Sequence, residues 1–194
     1  FHPHEDCFLA APAELLPVPP DLAPEEALFL PNIQTALTLI LDGKPLIGEN
    51  VVVFGQGIVG LLLTALLADF PLARLVTLDH YPNRRLASET LGAHASFDPL
   101  HPEVLEELRA SLANQEQDAW ADLAFEISGN PAALDQALAV TGFNSRIVVG
   151  SWYGTKKSEL NLGGLFHRQR QILRSSQVST IAPELSGRWT RSRL

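Results

Sequence analysis

Asn50-Val-Val-Val-Phe54 runs straight into Gly55-Gln56-Gly57-Ile58-Val59-Gly60, and an apolar stretch continues to about Asp69. A short, continuously apolar, β-branched run is what a strand buried on both faces requires. The glycines after it allow a tight turn, and the residues beyond them fit a helix folded back on the strand. No other part of the 194 residues restricts the fold so strongly, because such a strand needs helices on both sides of its sheet.

The remaining pattern agrees. Leu75-Val-Thr-Leu78 reads as a second strand ending at Asp79, and Asn83 to Leu91 as a helix. A weaker third strand falls near His94 to Phe97, and Pro102 to Ala113 is an amphipathic helix with Val104, Leu105, Leu108 and Leu112 on one side. Ala124-Phe-Glu-Ile127 gives a fourth strand, Pro131 to Val140 a helix with proline in its first turn, Arg146-Ile-Val-Val149 a fifth strand, and Gln171 to Ser175 a candidate sixth. Alternating strands and helices imply an α/β, doubly wound parallel sheet with right-handed crossovers. Asn32 to Leu41 is predicted as a helix ended by Asp42-Gly43. Before it, Phe1 to Pro31 carries seven prolines and is expected to be strand ends, turns and connector.

The glycine spacing matches the dinucleotide fingerprint of a Rossmann domain. Gly55 permits the tight turn, Gly57 has no side chain to obstruct a pyrophosphate, and Gly60 lets the helix pack closely. Backbone amides from Gln56 through Ile58 and Val59, at a helix N-terminus, are the expected diphosphate donors. Asp79 ends the next strand, nineteen residues after Gly60, where a carboxylate accepts hydrogen bonds from the adenosine ribose and repels a 2′-phosphate. That favours NAD over NADP. His80 belongs to the same pocket, and Arg84 and Arg85 complicate the choice, since an arginine there can hold a 2′-phosphate. A methyltransferase-like domain shares a glycine loop and an acid after the second strand, so it stands as an alternative.

Composition narrows the partners. Apolar residues make up 46% and charged residues 19%, as expected of a soluble globular domain, and no apolar run is long enough to span a bilayer. The net charge of −8 is uneven: 20 acids face 5 bases up to Ser145, and 9 bases face 2 acids after it. The basic end either binds anions or is balanced by sequence outside this chain. No nucleic-acid recognition motif accompanies it, so nucleic acid is not an expected partner. Cys7 is the only cysteine, which excludes an internal disulfide and a four-cysteine zinc site and suggests a reducing, cytoplasmic setting. The chain opens on Phe1 and contains no methionine, which suggests a piece of something longer.

Three clusters invite other chemistry. His2-Pro-His4-Glu-Asp-Cys7 gathers five possible metal ligands, but on a proline-rich end a solvated edge is the expectation. Tyr153-Gly-Thr-Lys-Lys157 has a Tyr-x-x-x-Lys spacing, yet it follows a strand and contains Gly154, so a loop is predicted and not a catalytic helix, with Tyr153 still a candidate to line the cleft. Arg168, Arg170 and Arg174 either steer an anion or form a solvated or interface face, and His167 is a proton-transfer candidate or a structural histidine.

Beyond the fingerprint, the chain resembles the medium-chain, zinc-type alcohol-dehydrogenase-like superfamily of dehydrogenases and reductases. The resemblance rests on Gly48-Glu-Asn-Val-Val-Val-Phe-Gly55, Phe125-Glu-Ile-Ser-Gly-Asn-Pro-Ala-Ala-Leu134 and Arg146-Ile-Val-Val-Gly150. Gly150-Ser-Trp-Tyr-Gly154, Phe166-His-Arg168, Arg174-Ser-Ser-Gln-Val178 and Arg188-Trp-Thr190 further resemble the bacteriochlorophyllide hydroxyethyl dehydrogenase subgroup. This implies a two-domain enzyme that moves a hydride between NAD and an alcohol or carbonyl substrate. Residues 1–31 would be the tail of a β-barrel-like catalytic domain with its connector, 32–178 the dinucleotide-binding domain, and 179–194 a truncated C-terminal segment. The resemblance also implies that Thr35 lines the nicotinamide end of the cleft, that Gly129 and Gly150 follow the cofactor, that Ser175 and Ser176 lie near its carboxamide, and that the protein is a homodimer. Pro31 stands where zinc-dependent members place a third metal ligand, and a proline cannot ligate, which counts against catalytic zinc. A relative that binds the dinucleotide without turnover is the non-enzymatic alternative.

Overall fold

The computed structural model describes residues 5–113, 120–178 and 180–189. His2 and His4 of the terminal cluster, and Thr190 of the C-terminal likeness, lie outside the described residues. Contacts divide the chain into two compact units, residues 1–31 and 32–194. In the first, the prolines act as expected: a 3-10 turn at Pro12–Glu14 and the short helix α1, Pro24–Ala27, each begin on one. The Glu14 and Glu26 carboxylates close these turns by accepting from the Ala11 and Ala23 amides at 2.9 and 3.3 Å. No strand forms among its described residues.

Helix α2, Leu30–Gly43, leads into a six-stranded sheet of β1 (Asn50–Phe54), β2 (Arg74–Leu78), β3 (Ala95–Phe97), β4 (Ala121–Glu126), β5 (Thr141–Val149) and β6 (Ile172–Ser175). The strands lie in the order β3-β2-β1-β4-β5-β6, and each adjacent pair is parallel. Helices α3 (Ile58–Ala68), α4 (Pro82–Thr90), α5 (Val104–Leu112) and α6 (Pro131–Val140) are the crossovers. The architecture is the parallel α/β sheet with flanking helices that the alternation implied.

Strand geometry sends successive side chains to opposite faces, and the core divides accordingly. Val52 and Phe54 join the α5 and α6 side chains Val104, Leu108, Leu112, Leu134 and Ala137. Val51 and Val53 join Leu39 of α2 and Leu63 and Leu67 of α3. Each fully buried leucine or phenylalanine contributes about 1.5–3 kcal/mol relative to exposure. The two faces are therefore loaded from different helices. That arrangement is what makes the chain leave the sheet in opposite directions at its centre.

Several boundaries differ from the sequence reading. Helix α2 starts two residues earlier, accepting Pro31 within its first turn. Strand β4 begins at Ala121, and β5 begins at Thr141 rather than Arg146, its first residues joining the sheet across a register shift between Ala121 and Leu123. Asn144 takes φ +55° in that stretch, which accounts for the broken alternation. Part of the basic half is balanced within the chain itself. Arg146 grips Glu49 with two bonds of 2.7 and 2.8 Å, and Arg174 pairs with Glu184 at 2.8 Å and lies 3.6 Å from Asp42. Lys44 also pairs with Glu184, whose carboxyl is held well below the usual range, chiefly by the Arg174 bond. Among the described residues no helix is long and apolar enough to cross a membrane.

Leu108 is fully buried and Leu86 is 65% exposed. Leu108→Ala should lower stability by about 2–5 kcal/mol, read as a lower urea midpoint at unchanged slope. Leu86→Ala should stay within about 0.5 kcal/mol of wild type.

Candidate functional site

The sheet order reverses between β1 and β4. Beyond their carboxyl ends, the chain turns to α3 on one face and α6 on the other, leaving a crevice at the switch point. The first wall is the glycine turn. Gly55 sits at φ +100°, and a Cβ there would lie 2.6 Å from the Ser128 Cα, so this glycine serves both the turn and the close approach of the loop after β4. A Cβ at Gly57 would meet nothing within 4 Å, so the space beside the start of α3 is open. Gly57 is also the N-cap of α3 and offers no side-chain cap to the first-turn amides, which begin at Ile58, Val59 and Gly60. A Cβ at Gly60 would fall 2.0 Å from the Gly55 carbonyl oxygen, so what this glycine accommodates is the turn's own backbone.

Asp79, 6% exposed, closes the end of β2. One carboxylate oxygen accepts the Gln56 amide at 2.7 Å and the other accepts the Tyr81 amide at 2.8 Å. This corrects one expectation: the Gln56 amide is spent on Asp79 and is not a diphosphate donor. The carboxylate instead ties the turn to the end of β2 and keeps lone pairs for further donors. The Gln56 side chain is wholly buried and accepts the Thr64 hydroxyl at 3.0 Å. Arg84 Nη1 lies 3.7 Å from Asp79, and its guanidinium stacks 4.8 Å from the Tyr81 ring centre. His80 Nδ1 is 3.6 Å from Asp98, whose carboxyl is held below its ordinary value, first by the Leu100 amide.

Gly55, Asp79, His80 and Arg84 line one cavity of about 320 Å³, together with Phe54, Leu78, Tyr81, Leu100, Ser128 and Asn130. The other sequence-predicted residues lie outside that cavity. Thr35 is half-buried on α2. Gly129 donates its amide to the Ser151 hydroxyl at 2.8 Å, and its carbonyl accepts Lys156 Nζ at 2.9 Å. Gly150 makes room for neighbours, since a Cβ there would fall 2.7 Å from Leu39 and 2.8 Å from Ile127. Ser175 pairs with Val149 in the sheet, and the Ser176 amide bonds the Val149 carbonyl at 2.9 Å. Tyr153-Gly-Thr-Lys-Lys157 is a loop, as predicted, with Gly154 at φ +62°.

Sequence reasoning missed Glu126 and Ser128, and it offered Tyr153 for the lining of the cleft, whereas Tyr153 does not line the cavity and its hydroxyl bonds Glu126. Glu126 is wholly buried at the end of β4 and accepts the Ser128 amide at 2.9 Å, the Ser128 hydroxyl at 2.5 Å and the Tyr153 hydroxyl. A carboxylate inside the apolar run Ala124-Phe-Glu-Ile127 was the signal available, because a buried charge needs dedicated donors. Among the described residues, no group of three or more His, Cys, Asp or Glu comes together, so they do not compose a zinc site.

Residues 59–189 match the zinc-binding dehydrogenase family. The chain belongs to that family. It thereby falls within the medium-chain dehydrogenase superfamily to which the motifs pointed. An uncharacterized zinc-type alcohol dehydrogenase-like protein of Escherichia coli is 30% identical over 182 residues, covering 93% of this chain and 50% of the relative. Sorbitol dehydrogenase of Bacillus subtilis is 30% identical over 122 residues, covering 63% of this chain and 33% of the enzyme. The chain thus spans half or less of the length of these relatives. Among solved structures, an Escherichia coli alcohol dehydrogenase complexed with NADH superposes with a TM-score of 0.72 at 18% identity, covering 83% of this chain and 46% of that one, a likeness of fold.

The glycines separate experimentally. Gly60→Ala should cost about 1–3 kcal/mol or more, because its new methyl meets backbone, whereas Gly57→Ala should melt close to wild type. Thermal unfolding of the two variants checks this.

Proposed function

We propose that this chain is the cofactor-holding portion of an NAD-dependent oxidoreductase that transfers a hydride between the nicotinamide and an alcohol or carbonyl substrate. The observation that carries the reading is the pairing of Asp79 with the Gln56 amide beside the open space at Gly57. A carboxylate fixed in that position accepts the ribose hydroxyls, while the uncapped amides of Ile58 and Val59 face the diphosphate. Arg84 and Tyr81 flank the adenosine end of the cavity. The nicotinamide, when bound, supplies the hydride chemistry. The residues here bind and orient it.

NAD is favoured over NADP because Asp79 would stand against a 2′-phosphate, and because Arg84 already lies 3.7 Å from that carboxylate while Arg85 is held by the Asp79 carbonyl at 2.9 Å and by Asp98 at 3.5 Å. Small alcohols or polyols are the proposed substrates, in keeping with the sorbitol dehydrogenase likeness. The likeness to bacteriochlorophyllide hydroxyethyl dehydrogenases rests on motifs alone and ranks second. The residues described do not fit a zinc ion, so no step is assigned to one. A homodimer belongs to the same reading, supported by β6 standing at the sheet edge with Ile172 48% exposed. So does a reducing, cytoplasmic setting, supported by Cys7 as the sole thiol.

Titration of the wild-type chain with NADH and NADPH should show tighter binding of NADH. Asp79→Ala should weaken NADH by about tenfold or more, the worth of a charged hydrogen bond, and narrow the preference. Gly57→Val should abolish binding while the fold persists. Tighter NADPH binding by wild type would overturn the specificity, and preference for S-adenosylmethionine would overturn the cofactor class. NADH binding without any alcohol oxidation by the full-length protein would make it a sensor.

A further inference from the structure

The loop after β4 is clasped from outside by residues 151–161, an extended strap after β5 with little regular structure. Five hydrogen bonds tie the strap to that loop and to the end of β4 and the first half of α6 that flank it. The Gly129 amide donates to Ser151 Oγ at 2.8 Å, Lys156 Nζ donates to the Gly129 carbonyl at 2.9 Å, Ser158 Oγ donates to the Pro131 carbonyl at 3.1 Å, and the Asn161 amide donates to Asp135 at 3.3 Å. The fifth, from the Tyr153 hydroxyl to Glu126, is the one anchored in the interior, because Glu126 has no exposed surface. The other Glu126 oxygen takes both Ser128 donors, and Ser128 Oγ in turn accepts the Asn130 amide at 3.0 Å. Ser128 and Asn130 line the cavity that Asp79 closes.

We propose that Glu126 and Tyr153 form a latch, buried at its Glu126 end, that fixes the strap on the loop after β4 and so positions Ser128 and Asn130 as one wall of the dinucleotide cleft. The inference rests on reading that cleft as a dinucleotide site. Both are positioning residues, acting through Ser128. Burial first, and then the bond to Glu126, push the Tyr153 phenol far above its ordinary value of 10.0. The other charged groups on the strap and on α6 are Lys156, Lys157, Glu159 and Asp135. Lys156 and Asp135 are engaged with the Gly129 carbonyl and the Asn161 amide.

The folded phenol holds its proton more tightly than an unfolded one. Its contribution to stability is therefore present below about pH 10 and lost as pH rises toward the folded value. Ultraviolet titration is direct because the chain has only two tyrosines. In the wild-type chain one phenol should stay protonated in alkali until unfolding, and Tyr153→Phe should remove that delayed step. Absence of a delayed phenol in wild type would overturn the latch whatever the cofactor is. Hydrogen exchange should show the Ser128 and Gly129 amides opening faster in Tyr153→Phe and Glu126→Gln, with Val52 and Val53 unchanged. The same variants should bind NADH about tenfold more weakly, equal to about 1.4 kcal/mol. Faster loop exchange with unaltered NADH affinity would overturn the positioning role. A wild type that shows the delayed phenol but binds no dinucleotide would sink the cleft's reading and, with it, the positioning claim alone.

Discussion

Two neighbouring strands, β1 and β4, send the chain to opposite faces of the sheet, and the crevice between their exits is the feature from which every proposed contact follows. That divergence is enforced by packing. Leu63 and Leu67 of α3 belong to one face's core, while Leu134 and Ala137 of α6 belong to the other. What keeps the crevice narrow is contact between backbones. Gly55 approaches the loop after β4 so closely that a single added carbon would strike Ser128. The Ile127 amide also bonds the Phe54 carbonyl at 2.9 Å, continuing the sheet past its last paired residues.

Polar groups then organise the crevice from both sides with the same device. On the β2 side, Asp79 is nearly buried and accepts two backbone amides. On the β4 side, Glu126 is fully buried and accepts from Ser128 and Tyr153. A carboxylate taken out of water is costly unless donors surround it, so each acid compels its neighbouring loop to supply them. Two acids thus shape two loops, and the cavity is the space between.

Much of this was legible in the sequence, for identifiable reasons. Strands buried on both faces are mostly apolar and β-branched, so Val51 to Phe54 and Leu75 to Leu78, with Thr77 its one polar residue, declared themselves, and the spacing from the glycines to Asp79 reflects one crossover's length. The first half of β5 was not legible. Thr141 to Ser145 follows no alternation, because a register irregularity and the φ of Asn144 break the period. Glu126 ends β4 and Tyr153 lies on the strap after β5, 27 residues further on, and only the folded sheet brings them together. Gln56 was misjudged because the fingerprint specifies where amides lie and not which of them another side chain already holds.

The clasp of the strap has a consequence for how such a domain can diversify. Ser151, Lys156 and Ser158 all grip main-chain atoms of Gly129 and Pro131. They sense the path of the loop and are indifferent to its side chains. Cavity-facing positions whose side chains hold no backbone group, such as Ala132, are therefore free to be exchanged for others without dislodging the segment that holds them, whereas the Asn130 side chain caps α6 by accepting the Ala132 amide at 3.2 Å. A lineage could retune what enters the crevice at those positions while its rim keeps its shape.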